Sequence, residues 1–301
     1  MVLIISLTLF IFIPSQLFAY GPAFHLKIGY ELLNYLTLFS PLTQQLLSEY
    51  PLDFLYGNIS PDIVIGKRFL PYHKHCHNWN IAKDLIDFAT SPSQKAFAYG
   101  YLTHLASDVI AHNYFVPVQI IKTFKARTLT HLYWETRLDN KVDRDIWYFA
   151  EKFKDSDFSK NEFLMERVLS YNFFPFVVSK KIYKGYVFFT SLEQWHNAIK
   201  LIKNLSRYSI DLDFIEEITK LTIDFSLNVL SRKDDTFIYE NDPMGKKSIE
   251  IAQMIKRNLK NKNLVSSFSD DEVNELYIHF KSKFKKALYN PKDIKAIISE
   301  V

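Results

Sequence analysis

Glycine and cysteine are both scarce in this chain of 301 residues, which contains 7 of the first and 1 of the second. Phosphate-cradling loops and turn-dense all-β folds need backbone positions free to take positive φ, so the shortage of glycine argues against both. Neither a Gly-x-Gly-x-x-Gly run nor a Walker-type loop is present. The single cysteine, Cys76, excludes an internal disulfide and a cysteine-based zinc knuckle. Any metal must then be held by nitrogen and oxygen. A strong excess of one charge is also missing: the formal charge of +4 leaves no nucleic-acid footprint. Strand-like alternation is rare, and its best candidate, Tyr186 to Phe189, is short.

What is present describes a globular chain. Hydrophobic residues make up 48% and charged residues 23%, a balance that supports a sizeable core. The length suits one large domain or two small ones. At the N-terminus, Val2 to Ile13 is nearly all apolar, Pro14-Ser15-Gln16 breaks the run, and Leu17-Phe18-Ala19 ends on a small residue. About a dozen apolar residues fall short of the roughly 20 that span a membrane, so residues 1–19 read as a signal peptide. Cleavage after Ala19 makes Tyr20 the first mature residue of an exported protein, periplasmic or secreted. No Lys or Arg precedes the apolar run. That keeps an uncleaved membrane anchor as the alternative.

Helix punctuation recurs along the rest. Ser40-Pro41 and Ser91-Pro92 read as N-caps followed by proline at the first helical position. Ser91 with Gln94, Ser191 with Gln194 and Ser269 with Glu272 have capping-box spacing. Between them apolar residues recur at three and four, as in Ile81, Leu85, Ile86 and Ala89. The expectation is an all-α, multi-helix bundle with about ten helices. Seven of nine histidines precede Asp145. This divides the chain into a helical core, residues 20–145, and a helical region, residues 146–301, packed on it. The second half is Lys-rich at helical spacing, for instance at Lys281, Lys283, Lys285 and Lys286. Such a run is read as a solvated helix face, with a membrane-contact patch as the alternative.

The strongest chemical signal is His104-x3-Asp108-x3-His112 within an apolar stretch. On one helix these three side chains stack along one face. Two imidazoles and a carboxylate turned inward are costly unless paired or bound to metal. The plainer alternative is a satisfied polar ladder. His131 and Glu135 repeat the spacing, and Asp139 extends their row. Taken alone that pair is a surface pair; beside the first row it suggests two ligand helices face to face. Asn58-Ile59-Ser60-Pro61-Asp62 reads as a turn presenting a carboxylate. His73, His75 and His77 follow it, and His25 lies close behind Tyr20.

From Tyr20 to Asp139 this ordered set resembles the zinc-dependent phospholipase C family, related to the alpha-toxins and, more distantly, to the single-strand-specific zinc nucleases. The resemblance implies a cluster of two or three zinc ions. Its ligands would be the backbone amine and carbonyl of Tyr20 with the side chains of His25, Asp62, His77, His104, Asp108, His112, His131 and Glu135. Asp108 would bridge two ions, and His75 matches almost as well as His77. Tyr20 stands where the family has tryptophan, and the Asp108 to His112 gap is shorter than in the toxin and nuclease branches. Nothing after Asp145 resembles the toxins' β-sandwich lipid-binding domain.

The implied activity is hydrolysis of phosphoric esters, foremost phospholipase C-like cleavage of glycerophospholipids, with Asp62 orienting or deprotonating the attacking water. The expected partners are a phospholipid or other phosphodiester, with peripheral membrane contact and no specific nucleic acid. A zinc nuclease or phosphodiesterase is the alternative in the same chemistry. A non-catalytic, exported zinc-binding protein is the alternative outside it.

Overall fold

The computed structural model describes residues 20–64, 75–126, 131–169, 209–232 and 236–300. In chain order its first helices are α1 (Pro22–Leu33), α2 (Pro41–Glu49), α3 (Pro51–Gly57), α4 (Ser60–Ile63), α5 (Trp79–Phe88) and α6 (Pro92–Ile110). A π turn, Ala111–Phe115, leads into α7 (Val116–Lys122), followed by α8 (His131–Asp139), α9 (Arg144–Asp155) and α10 (Ser159–Val168). The last are α11 (Leu212–Arg232), α12 (Lys246–Val265) and α13 (Asp270–Tyr289), with 3-10 turns before α12 and after α13. Among the described residues there is no strand. The fold is an all-α, multi-helix bundle. Residues 1–19, the strand candidate Tyr186 to Phe189 and the Ser191 cap lie outside the described residues.

Serine and proline start the helices as their positions predict. Ser40 Oγ accepts the N–H of Thr43 at 3.3 Å, and Ser91 Oγ accepts that of Gln94 at 3.3 Å. Ser269 and Glu272 close a full capping box. Gln94 does not complete its box with Ser91. Its Oε1 accepts from Thr90 N–H and Thr90 Oγ instead, both at 3.0 Å, while its amide nitrogen bonds Lys160 O at 2.8 Å.

α6 is the axis of the bundle. Every residue from Ala96 to Ile110 is buried, as expected of a helix enclosed on all sides. α3, α5 and α11 pack around it. Each fully buried Phe or Leu, such as Phe97 and Leu105, contributes about 2 kcal/mol of hydrophobic stabilisation. Two of the few glycines are spent where α3 crosses α6. A Cβ on Gly57 would lie 2.1 Å from Phe97 O, and one on Gly100 would lie 2.0 Å from Phe54 O. Only residues without a side chain permit this approach, and it brings the end of α3 against the middle of α6.

The later helices close over the same axis. Glu217 on α11 binds Lys281 at 2.7 Å and Lys285 at 2.8 Å, both on α13, and accepts the hydroxyl of Tyr114 in the π turn at 2.8 Å. Burial would raise this carboxyl, but the two ammonium groups and the phenol outweigh it and hold it below its ordinary 4.5. A depressed carboxyl contributes stability above its unfolded value and loses it as pH falls through its folded one. Glu217→Gln is therefore expected to cost about 1 kcal/mol near neutrality, a charge-assisted bond discounted for partial exposure. In urea unfolding this difference should shrink as pH falls below the ordinary carboxyl value and vanish once the folded carboxyl is protonated; an unchanged difference in acid would remove the charge from the account. Among the described residues, no helix is long and apolar enough to cross a membrane.

Candidate metal centre

Four segments deliver side chains to one buried point. α1 brings His25, the single helical turn α4 brings Asp62, the stretch before α5 brings His77, and α6 brings His104 and Asp108. Asp62, expected in a turn, lies in Ser60–Ile63, which winds one helical turn with Pro61 inside it. All five side chains are buried.

Their polar atoms face one another. Asp108 Oδ2 lies 3.1 Å from His77 Nε2 and 3.3 Å from His104 Nε2, and Asp108 Oδ1 lies 3.5 Å from His25 Nε2. Asp62 Oδ1 is 3.3 Å from His77 Nε2 and 3.9 Å from His104 Nε2. The imidazoles of His25 and His104 stack with centroids 4.0 Å apart. Ligand atoms of His25, Asp62 and His104, and of His77, His104 and Asp108, form two groups, each within 4.8 Å.

Outer contacts aim these rings. His104 Nδ1 lies 2.7 Å from the backbone carbonyl of Asn58, at the Gly57–Gly100 crossing. A ring N–H donating there leaves Nε2 as a lone pair turned into the cluster. His77 Nδ1 lies 3.2 Å from Cys76 Sγ, and that thiol donates to Pro61 O at 3.4 Å. Tyr101 Oη donates to Cys76 O at 2.6 Å, fixing the backbone between the two histidines. His75 Nδ1 accepts the N–H of His77 at 3.1 Å, and His75, Cys76 and His77 form a further group of possible ligand atoms within 4.8 Å. His77 presents Nε2 to both aspartates.

Burial, and next the neighbouring His104, hold His25 below its ordinary imidazole value, so its ring is neutral. Burial alone would raise Asp108, but His104, His25 and His77 around it outweigh that and hold it well below the usual carboxylate range. Imidazole nitrogens beside carboxylate oxygens are the donor set of zinc and similar divalent ions. The hydrogen-bond geometry points the same way. Both nitrogens of His25 and Asp108 Oδ2 are buried without a hydrogen-bond partner. Each such atom costs about 1–3 kcal/mol. One proton can satisfy one pair of facing acceptors; one divalent cation satisfies the whole set.

The remaining expected ligands behave differently. His112 lies beyond the α-helix that carries His104 and Asp108. That helix ends at Ile110, and His112 sits in the π turn that follows. Gly245, at φ +54°, packs on this turn: a Cβ there would lie 2.4 Å from His112 O. His112 is buried but belongs to neither group. His131 and Glu135 fall on α8, but their side chains lie outside the described residues. Tyr20 begins the described chain, its ring packed on Phe24 and Phe115 and its hydroxyl 3.5 Å from Thr222 Oγ1. Asp139, four residues past position 135 on α8, caps another helix. Its carboxylate accepts the N–H groups of Ala23 at 3.3 Å and Phe24 at 3.0 Å. Burial raises that carboxyl to about 7, the two amides pulling the other way. Neither this contact nor the Asn58 carbonyl carries a sequence signal, because both depend on which segments become neighbours.

Neither a curated protein nor a solved structure matches the chain. A family model described as zinc dependent phospholipase C matches residues 24–173. That stretch contains His25, Asp62, His77, His104 and Asp108, and through it the chain belongs to the zinc-dependent phospholipase C family.

Proposed function

We propose that this protein is a zinc-dependent phosphoric ester hydrolase, and that its reaction is phospholipase C-like cleavage of glycerophospholipids. The observation that carries the reading is the buried convergence of His25, Asp62, His77, His104 and Asp108, whose facing nitrogens and oxygens hydrogen bonds alone do not satisfy. These five would hold zinc, with His104 common to the two groups and Asp108 facing three of the imidazoles. His112, His131, Glu135 and the backbone of Tyr20 would complete a set for two or three ions. Zinc bound here supplies positive charge for phosphoryl oxygens and a water whose pKa falls toward about 7.

The chain's own residues do the rest. Asn58 O holds the His104 ring in the tautomer that presents Nε2. The buried walls of α1 and α6 keep bulk water from weakening the charge on Asp108. A carboxylate oxygen of Asp62 would accept the proton of the attacking water. The apolar start of the chain fits export, with peripheral contact to the lipid surface.

One experiment tests the reading on protein that begins at Tyr20. Zinc per chain is measured by elemental analysis, then hydrolysis of phosphatidylcholine, a simple phosphodiester and single-stranded DNA is compared. Two or three zincs with phosphatidylcholine cleavage support it. Zinc with preferential DNA cleavage makes the protein a nuclease, and zinc without turnover makes it a binding protein. The same measurement on protein that retains residues 1–19 should show less zinc, because the residue 20 amine is then locked in a peptide bond.

A further inference from the structure

We propose that Asp139 is a positioning residue of this centre, a carboxylate that indexes the helix bearing His25 to the helix bearing positions 131 and 135. The proposal rests on the zinc reading above. A helix start leaves backbone N–H groups without intrahelical partners, and a Ser, Thr, Asp or Asn at the N-cap ordinarily satisfies them. The N-cap of α1 is Gly21, which has no side chain to offer. Asp139 takes that role from the end of α8, 116 residues away from Ala23. Its two oxygens divide the work, Oδ2 accepting from Ala23 N–H and Oδ1 from Phe24 N–H.

Gly21 and Asp139 exclude the local alternative. A Cβ on Gly21 would lie 2.0 Å from Asp139 Oδ2 and 2.3 Å from its Cγ. No capping side chain fits at position 21 while the carboxylate is in place. A local cap would hold the start of α1 equally well. A cap reaching across from α8 adds a fixed relation between two helices. Residue 25 lies on α1 directly after the capped amides of Ala23 and Phe24, and positions 131, 135 and 139 recur at four-residue intervals along α8. The carboxylate therefore ties the proposed ligands on α8 to His25 and to the backbone at Tyr20. Ligands must be held within fractions of an ångström for tight metal binding.

The test separates this tie from plain helix capping. Asp139→Asn, Asp139→Ala and the double variant Asp139→Ala with Gly21→Ser are compared with the wild type, all beginning at Tyr20. Zinc affinity is read by chelator competition, and metal-free thermal stability by circular dichroism. Asp139→Ala is expected to lower zinc affinity about 10- to 100-fold, the usual loss on removing an outer-sphere support. Asp139→Asn keeps an acceptor oxygen and should stay within a few-fold of wild type. The double variant carries its own cap in the space vacated, so it keeps the start of α1 even if Asp139→Ala alone unfolds. It should recover the metal-free melting temperature but not the zinc affinity. Recovery of both would make Asp139 a helix cap and nothing more, as would unchanged zinc affinity in Asp139→Ala. A wild type that binds no zinc would overturn the metal centre and this role together.

Discussion

Asp108→Asn is expected to release most of the zinc and to abolish turnover. Asp108 lies within 3.5 Å of His25, His77 and His104. Asparagine keeps its size and could still hydrogen-bond to the imidazoles. What it removes is the negative charge that balances a dication in a buried place. Losing an outer-sphere partner costs 10–100-fold in metal affinity, so loss of this anion should cost at least about 100-fold. Turnover should fall by about a thousandfold or more, because electrostatic stabilisation of the transition state falls with it. Elemental analysis and a phosphodiester assay, with circular dichroism to verify the fold, check this. Full zinc content in Asp108→Asn would remove Asp108 from the ligand set.

Asp62→Asn is expected to separate binding from chemistry. Asp62 lies 3.3 Å from His77 Nε2 and 3.9 Å from His104 Nε2. As the proton acceptor for the attacking water, Asp62 contributes the amount typical of a general base, about 10²–10⁴-fold. The variant should retain much of its zinc and lose kcat by that factor, with KM little changed. Zinc lost in step with activity would make Asp62 a ligand first. Full activity would take it out of the mechanism.

Much of this molecule was legible in one dimension. Ser40-Pro41, Ser91-Pro92 and the Ser269–Glu272 pair start helices because capping is local chemistry between residues three apart. The i,i+4 step from His104 to Asp108 is likewise a property of one helix, and the structure keeps it. Both residues lie within Ala98 to Ile110, where every residue is buried. His112 shows where such reasoning ends. Its spacing is the same, yet it follows a switch from α to π winding after Ile110, on a turn packed against Gly245 from far along the chain. Asp139 keeps its place on α8, but spacing did not announce that its carboxylate caps the start of a neighbouring helix.

By itself, then, the sequence determined the helical class, the helix starts and the residue types able to hold zinc, all of them consequences of short spacing and side-chain chemistry. Only the tertiary structure decided which of those residues meet. The glycines at 57 and 100 let two helices approach until Asn58 O reaches His104, and the packing of α1, α4 and the His77 segment on α6 brings five separate positions to one buried point. Convergence of that kind follows from how helices pack in space, which no local pattern encodes.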